Sequence, residues 1–208
     1  MALQTALERV AELCWRAVPV RSGLLAQPRY LAATAAVVAV AAAVLLGMGR
    51  VPICRCGSVK VWHGVVQSAE NSQHLSDWYT FSHVIHGFGF YGLLWLTGRR
   101  WPIGARLLAA TVIEGGWEIL ENTDLVVNRY REATIALDYF GDSVLNSVSD
   151  ICAMIVGFLL ARQLPVWTTV ALVIVMELGV AYVIRDNLTL NIIMLLYPLD
   201  VIRRWQTG

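Results

Sequence analysis

The chain has 208 residues, 57% of them apolar and 15% charged, with a formal net charge of +1 and a mean hydropathy of +0.59. That composition belongs to a polytopic membrane protein and excludes an ordinary soluble domain. The near-neutral charge gives no support for nucleic-acid binding, which calls for a clustered basic face. At roughly 20 residues per crossing, the length holds at most about six spans. The predicted fold is all-α, a polytopic transmembrane helix bundle of five to six spans forming one domain, residues 30–208, behind an N-terminal amphipathic helix.

In residues 1–29, Arg9, Arg16, Arg21 and Arg29 alternate with Leu3, Leu7, Val10 and Leu13 at near-helical spacing, the pattern of a helix lying on the membrane surface. A first span covers residues 30–48; the long arm before it and the length of the apolar run argue for an uncleaved anchor over a signal peptide. A polar stretch follows to residue 77. Further spans are predicted at 78–96, 103–120, 144–160 and 166–184, with a polar loop at 121–143. The last apolar piece, 188–202, is short and broken by Pro198 and Asp200, so it crosses thinly or lies in the interface. The larger share of basic residues, in the arm, at Arg99, Arg100 and Arg106, at Arg162 and at Arg203 and Arg204, places the N-terminus in the cytoplasm.

This topology gathers polar residues into one layer near the outer face: His83 and His86; Glu114, Glu118 and Glu121; Asp142, Asn146 and Asp150; and Arg185, Asp186 and Asn187. Spacings of three and four put each helical set on one face, directed inward. Ionisable groups in apolar surroundings cost several kcal/mol, roughly, unless paired or used, so the layer predicts a pocket open to the periplasm. Gly87 and Gly89 beside His86, and Gly115 and Gly116 beside Glu114, predict close helix approach. Gly141 before Asp142 and Ser143 predicts a turn into a helix whose free N–H groups suit an anion such as phosphate.

Two imidazoles and several carboxylates are adequate ligands for zinc, manganese or iron, with His83, His86, Glu114 and Glu118 as the expected set. The candidate catalytic groups are His86, Glu118 and Asp150; the candidate ligand-binding groups are Glu114, Glu121, Asp142, Ser143, Asn146 and Arg185. The structural alternative pairs Asp150 with His86, and the glutamates with Arg129, Arg131 or Arg185. Cys54 and Cys56 form a C-x-C pair outside the first span, open to oxidation or metal binding, although bridging within so short a spacing is strained. Cys14 reads as a cytoplasmic thiol and Cys152 as a packing residue. His63 and His74 read as solvated loop residues, and Glu177 as a helix partner or a proton-path acid. Trp62, Trp78, Tyr79 and Trp101 read as interfacial anchors and Trp117 as a pocket wall.

The runs WHGVVQSAENSQHLSDWYTFSHVIHGFGFYGLLWL, EGGWEILENTD, LDYFGDSVLNSVSD and RDNLTLN closely resemble uncharacterised protein family 0314, a domain of unknown function in multi-pass inner-membrane proteins of alpha-proteobacteria. The resemblance runs over residues 49–205 and implies a bacterial inner-membrane location without an activity. The order His86, Glu114 or Glu118, Asp142, Asp150, Gly157 is distantly similar to VanZ-like membrane proteins, associated with glycopeptide-antibiotic tolerance. The doubled Glu face and the loop from 122 to 141 depart from that pattern. Two functions stay open. One is a membrane enzyme acting on a lipid or cell-envelope precursor. The other is a non-catalytic protein that binds membrane lipids or an antibiotic-like ligand, or supports a complex. A transporter is a weaker third reading, because no inverted repeat is visible.

Overall fold

The computed structural model describes residues 23–134 and 138–207, and among them all regular structure is helical. The amphipathic arm expected over residues 1–29, and Cys14 within it, fall largely or wholly outside the described residues. After a 3-10 turn at Leu24–Ala26 come eight α-helices: α1 Pro28–Gly47, α2 Thr80–Thr97, α3 Ile103–Glu121, α4 Asp124–Ala133, α5 Val144–Gln163, α6 Val166–Ile184, α7 Leu188–Leu196 and α8 Asp200–Thr207.

Their boundaries follow ordinary stop and start chemistry. Pro28 begins α1, where a missing N–H costs nothing, while Pro102 and Pro165 precede α3 and α6 in extended backbone. Ser143 caps α5 by accepting from the Asn146 N–H, and Asn187 caps α7 by accepting from the Leu190 N–H. α6 ends on Arg185 in the left-handed region, φ 56°.

Among the described residues, three helices are long and apolar enough to cross a membrane: α1, α5 and α6. In α6 only 6% of the apolar window is buried against the protein, compared with 44% in α5. Trp167, Val175, Leu178 and Tyr182 stand exposed along α6, an apolar surface that requires lipid or another protein. α2 and α3 have 18 and 19 residues, similar lengths, but carry the polar layer. Of the predicted five to six spans, three are thus met by length and composition among the described residues. The final apolar piece is two short helices broken at Pro198, and the nine residues of α7 reach only about 14 Å, too short to cross.

The loop predicted at 121–143 contains α4. Val126, Val127 and Tyr130 recur on one face and pack with Tyr139 and Leu195. Asp124 in its first turn and Arg131 in its last suit the helix dipole.

α2 packs most extensively on α5, and α1 on α3. At one end of the bundle Leu94, Ile103, Leu107, Ala110, Met154 and Phe158 form an apolar core. The opposite end holds the polar layer. Gly87 and Gly157 make the α2–α5 crossing possible: a Cβ on Gly87 would lie 2.1 Å from the Met154 carbonyl oxygen, and one on Gly157 2.2 Å from that of Val84. The other glycines expected to serve this purpose do not. Gly89 and Gly116 face open space, and a Cβ on Gly115 would make ordinary contacts with Val37 and Ala41.

Candidate functional site

The segment between α1 and α2 folds over the polar end and is stitched to the start of α5. The Ser143, Val144 and Leu145 N–H groups donate to the Ser72, Val51 and Pro52 carbonyls, and the Asn146 N–H donates to Ser143 Oγ. The free N–H groups expected there for a phosphate are thus consumed by the fold. Ser143 Oγ donates to the Gln73 carbonyl and Asn146 Nδ2 to that of His74, so both residues hold the loop and neither lines the cavity beneath. Gly141 has a structural reason of its own: φ is +90°, and a Cβ would meet Arg50, whose Nη1 donates to the Phe140 carbonyl at 2.6 Å.

Beneath this roof lies a cavity of about 300 Å³. On its wall stand His83, His86, Glu114, Glu121, Asp142 and Asp150, with Asn71, Ser72, Tyr79, Tyr130, Tyr139 and Asn191 as further polar groups. Phe90, Ile113, Trp117, Ile192 and Leu195 supply apolar wall, and Ile113 and Ile192 are exposed on the outer surface.

The centre of the site is a histidine pair on one carboxylate. Glu114 Oε1 is 2.6 Å from His83 Nδ1 and 3.1 Å from His86 Nδ1, and Glu114 Oε2 is also 3.1 Å from His86 Nδ1. His83 meets two more acids: Nδ1 lies 3.4 Å from Glu118 Oε1, and Nε2 lies 3.8 Å from Asp150 Oδ2. Thr80 Oγ1 donates to Asp150 Oδ1 at 3.1 Å. Glu118 sits behind the wall, fully buried, and neither of its oxygens has a hydrogen-bond partner. Two sets present ligand atoms within 4.8 Å of one another: His83, His86 and Glu114; and His83, Glu118 and Glu121.

Several sequence expectations need correction. Asp150 faces His83 and not His86. The arginines expected to neutralise the glutamates are elsewhere: Arg129 Nε donates to the Leu195 carbonyl, Arg131 lies over the Phe140 ring, and Arg185 donates to the Trp205 carbonyl. Arg185 is exposed and off the cavity wall. Its neighbour Asp186 is buried instead and accepts from Tyr79 Oη, Asn191 Nδ2 and Gln206 Nε2. Glu177 is a cap: its two oxygens accept the Leu188 and Thr189 N–H groups at the start of α7. Cys152 is exposed, not packed, while Cys54 and Cys56 are joined in a disulfide. His63 and His74 are both buried.

Tyrosines set a second tier that spacing alone did not reveal. Tyr139 donates to Asp142 at 3.0 Å, Tyr79 to Asp186 at 3.1 Å, and Tyr130 lies against Glu121. Asn122, four residues after Glu118 and so on the same helix face, donates Nδ2 to Asp142 at 2.9 Å. Burial raises the Asp142 carboxyl to about 6 despite these two bonds, and burial raises Asp186 likewise to about 6. In the loop between α1 and α2, the Lys60 ammonium and then His74 lower Glu70 to about 2.

A family described as protein of unknown function (DUF2585) matches residues 45–208. The chain is 65% identical over 161 residues to a UPF0314 protein of Rhizobium meliloti (strain 1021), covering 77% of this chain and 82% of that one. It is 58% identical over 176 residues to a UPF0314 protein of Paracoccus denitrificans (strain Pd 1222), covering 85% and 91%, respectively. A UPF0314 protein of Rhizobium johnstonii is 56% identical over 192 residues, covering 92% and 98%. No solved structure matches. These relatives lend no support to the VanZ-like likeness.

Proposed function

The chain belongs to the UPF0314 family, whose function is unknown, and we propose that it is a multi-pass bacterial inner-membrane protein that holds a divalent metal ion such as zinc and acts on a lipid or cell-envelope precursor. One observation carries the reading. The charge partners of the buried acids Glu114, Glu118 and Asp150, among the described residues, are two imidazoles, and neither Glu118 oxygen accepts a hydrogen bond. A buried carboxylate that accepts no hydrogen bond is expensive, and a cation beside it offsets that cost.

His83, His86 and Glu114 supply the three ligands of a catalytic metal, leaving a fourth position toward the cavity, where His86 is partly exposed. Glu118 behind them balances the charge. A metal in such a site supplies an activated water or polarises a phosphoryl or carbonyl oxygen. Asp150, fixed by Thr80, is placed to take a proton from the attacking group. The cavity suits an amphiphile: apolar wall reaches the outer surface at Ile113 and Ile192, while Asn71, Ser72, Tyr79 and Asn191 serve a head group. About 300 Å³ holds a head group and its first carbons, not a whole lipid. In this reading α1, α2, α3, α5 and α6 cross the membrane with the N-terminus in the cytoplasm. The cavity then faces the periplasm, and α7 and α8 lie at the interface.

A second reading draws on the fact that both ring nitrogens of His83 face carboxylates, as a doubly protonated imidazole would. The cluster is then a closed ionic network in a non-catalytic protein that binds a lipid or antibiotic-like ligand or supports a membrane complex. Elemental analysis separates the two. Protein purified in mild detergent without reductant is compared with His86→Ala and Glu118→Gln. About one metal equivalent lost in both variants supports the metal site; wild-type protein without metal above background overturns it and leaves the network.

A further inference from the structure

A second set of ligating side chains lies outside the site just described. Cys54, Cys56, Glu70 and His74 each present a ligand atom within 4.8 Å of the others. We propose that these four residues form a thiolate-rich zinc site in the loop over the cavity, assembled when the Cys54–Cys56 bond is reduced and dismantled when it closes.

The donor set fits the ion. Two thiolates, one imidazole and one carboxylate make four protein ligands, the closed coordination of a structural zinc. The charges also fit. Two thiolates and Glu70 exceed the ion by one negative charge, and Lys60 Nζ stands 2.5 Å from Glu70 Oε2 to balance it. His74 is 1% exposed, with Nδ1 toward the Lys60 N–H at 3.3 Å and Nε2 toward Glu70 Oε2 at 3.0 Å. Nδ1, which accepts from the Lys60 N–H, carries the lone pair that would take the ion, while Nε2–H donates to Glu70 and fixes the ring, as the far-nitrogen hydrogen bond does in most histidine–metal pairs. An independent sign of a missing partner lies alongside. The His63 ring packs 5.1 Å from that of His74, and its Nε2 is buried with no hydrogen-bond partner.

The redox step balances. A dithiol donor gives two electrons and two protons to the Cys54–Cys56 bond and closes into its own disulfide; zinc then displaces the two thiol protons as it binds. The site is linked to the cavity through the backbone. Glu70 and His74 bracket Asn71 and Ser72, which line the cavity, and the carbonyls of Ser72, Gln73 and His74 hold Ser143 and Asn146 at the head of α5. Metal in the loop therefore fixes the roof under which an amphiphile would enter.

Cobalt gives the test, because sulfur ligation produces a thiolate-to-cobalt charge-transfer band that a His–carboxylate site cannot produce. The full chain in detergent is treated with a water-soluble phosphine, which takes the oxygen of a water as its hydrogens pass to the two sulfurs, and then with Co²⁺. The expected result is two new thiols per chain and a near-ultraviolet band. That band should be lost in the Cys54→Ser/Cys56→Ser variant, fall several-fold in His74→Ala, and persist in His86→Ala. Persistence in His86→Ala separates this site from the one proposed above. Two new thiols without a band overturn the proposal, as does failure of the phosphine to open the bond in folded protein.

Discussion

Replacing Gly87 by Ala tests the contact that sets the whole site. The added Cβ would lie 2.1 Å from the Met154 carbonyl oxygen and 2.5 Å from the Phe158 nitrogen, both backbone atoms that no rotamer change can move. Ordinary contact requires α2 and α5 to part by about 1 Å, an overpacking cost of about 3 kcal/mol. Alanine returns about 1 kcal/mol of helix propensity over glycine, leaving a net loss of about 2 kcal/mol. For a chain of this size that lowers Tm by roughly 4–8 °C. Gly89→Ala is the internal control: its Cβ meets nothing within 4 Å, so propensity alone acts and stability rises by about 1 kcal/mol. Thermal unfolding of both variants in detergent reads the difference, and metal content reads its reach, since His83 and His86 ride on the displaced turn. Gly87→Ala as stable as Gly89→Ala would refute backbone contact between α2 and α5, and with it the placement of both histidines.

Two further predictions concern groups outside the long helices. Asp186 stands at about 6 in the folded chain against an ordinary 3.8, raised by burial and by the Glu177 charge, against the bonds from Tyr79, its own Asn187 N–H and Asn191. The folded form binds this proton more tightly, so the stability it contributes is complete below about pH 4 and is lost as pH rises through about 6. The sum is about 3 kcal/mol. Wild-type Tm should fall across that window more steeply than that of Asp186→Asn; equal slopes would show that Asp186 does not hold the proton. Glu177→Ala removes the acceptor for two N–H groups at the start of α7 and should cost about 1–2 kcal/mol. Because Leu188, Asn191, Ile192 and Leu195 of that segment line the cavity, hydrogen exchange should quicken there first, and an unchanged α7 would count against the cap.

The all-helical fold and the meeting of His83, His86, Glu114 and Asp150 were legible because both rest on local rules: apolar runs fix helices, and spacings of three and four fix faces. What escaped depended on which helix meets which. Asp150 finds His83 in place of His86 because the Gly87–Gly157 crossing sets the rotation of α2 against α5, and Gly157 lies far from Gly87 in sequence. Helix α4 escaped because its mean polarity hides a narrow apolar face of Val126, Val127 and Tyr130. Arg185 was misassigned because a left-handed residue ends α6, turning the chain so that Asp186 goes inward while Arg185 stays exposed. The N–H groups before α5 looked free because their acceptors, Val51, Pro52 and Ser72, come from a segment some seventy to ninety residues away.

The apolarity of the helices and the position of the site follow from the same cause. α2 and α3 fall short of the hydropathy expected of a crossing because each carries polar side chains on one face, and hydrocarbon tolerates such a face only where protein or a water-lined cavity covers it. Cover comes from α1 against α3 and from α5 against α2, while α6 turns an almost wholly exposed apolar surface outward. The polar faces therefore have no direction left but toward each other, which brings Glu114, Glu118 and Asp150 around His83. Once there, the acids have no arginine or lysine among their ion partners in the described residues: Arg50 is spent on Asp124 and the Phe140 carbonyl, and Lys60 of the roof on Glu70. Packing thus gathers three acids around two imidazoles, and the Glu118 oxygens, which accept no hydrogen bond, are where the cation proposed above would be held.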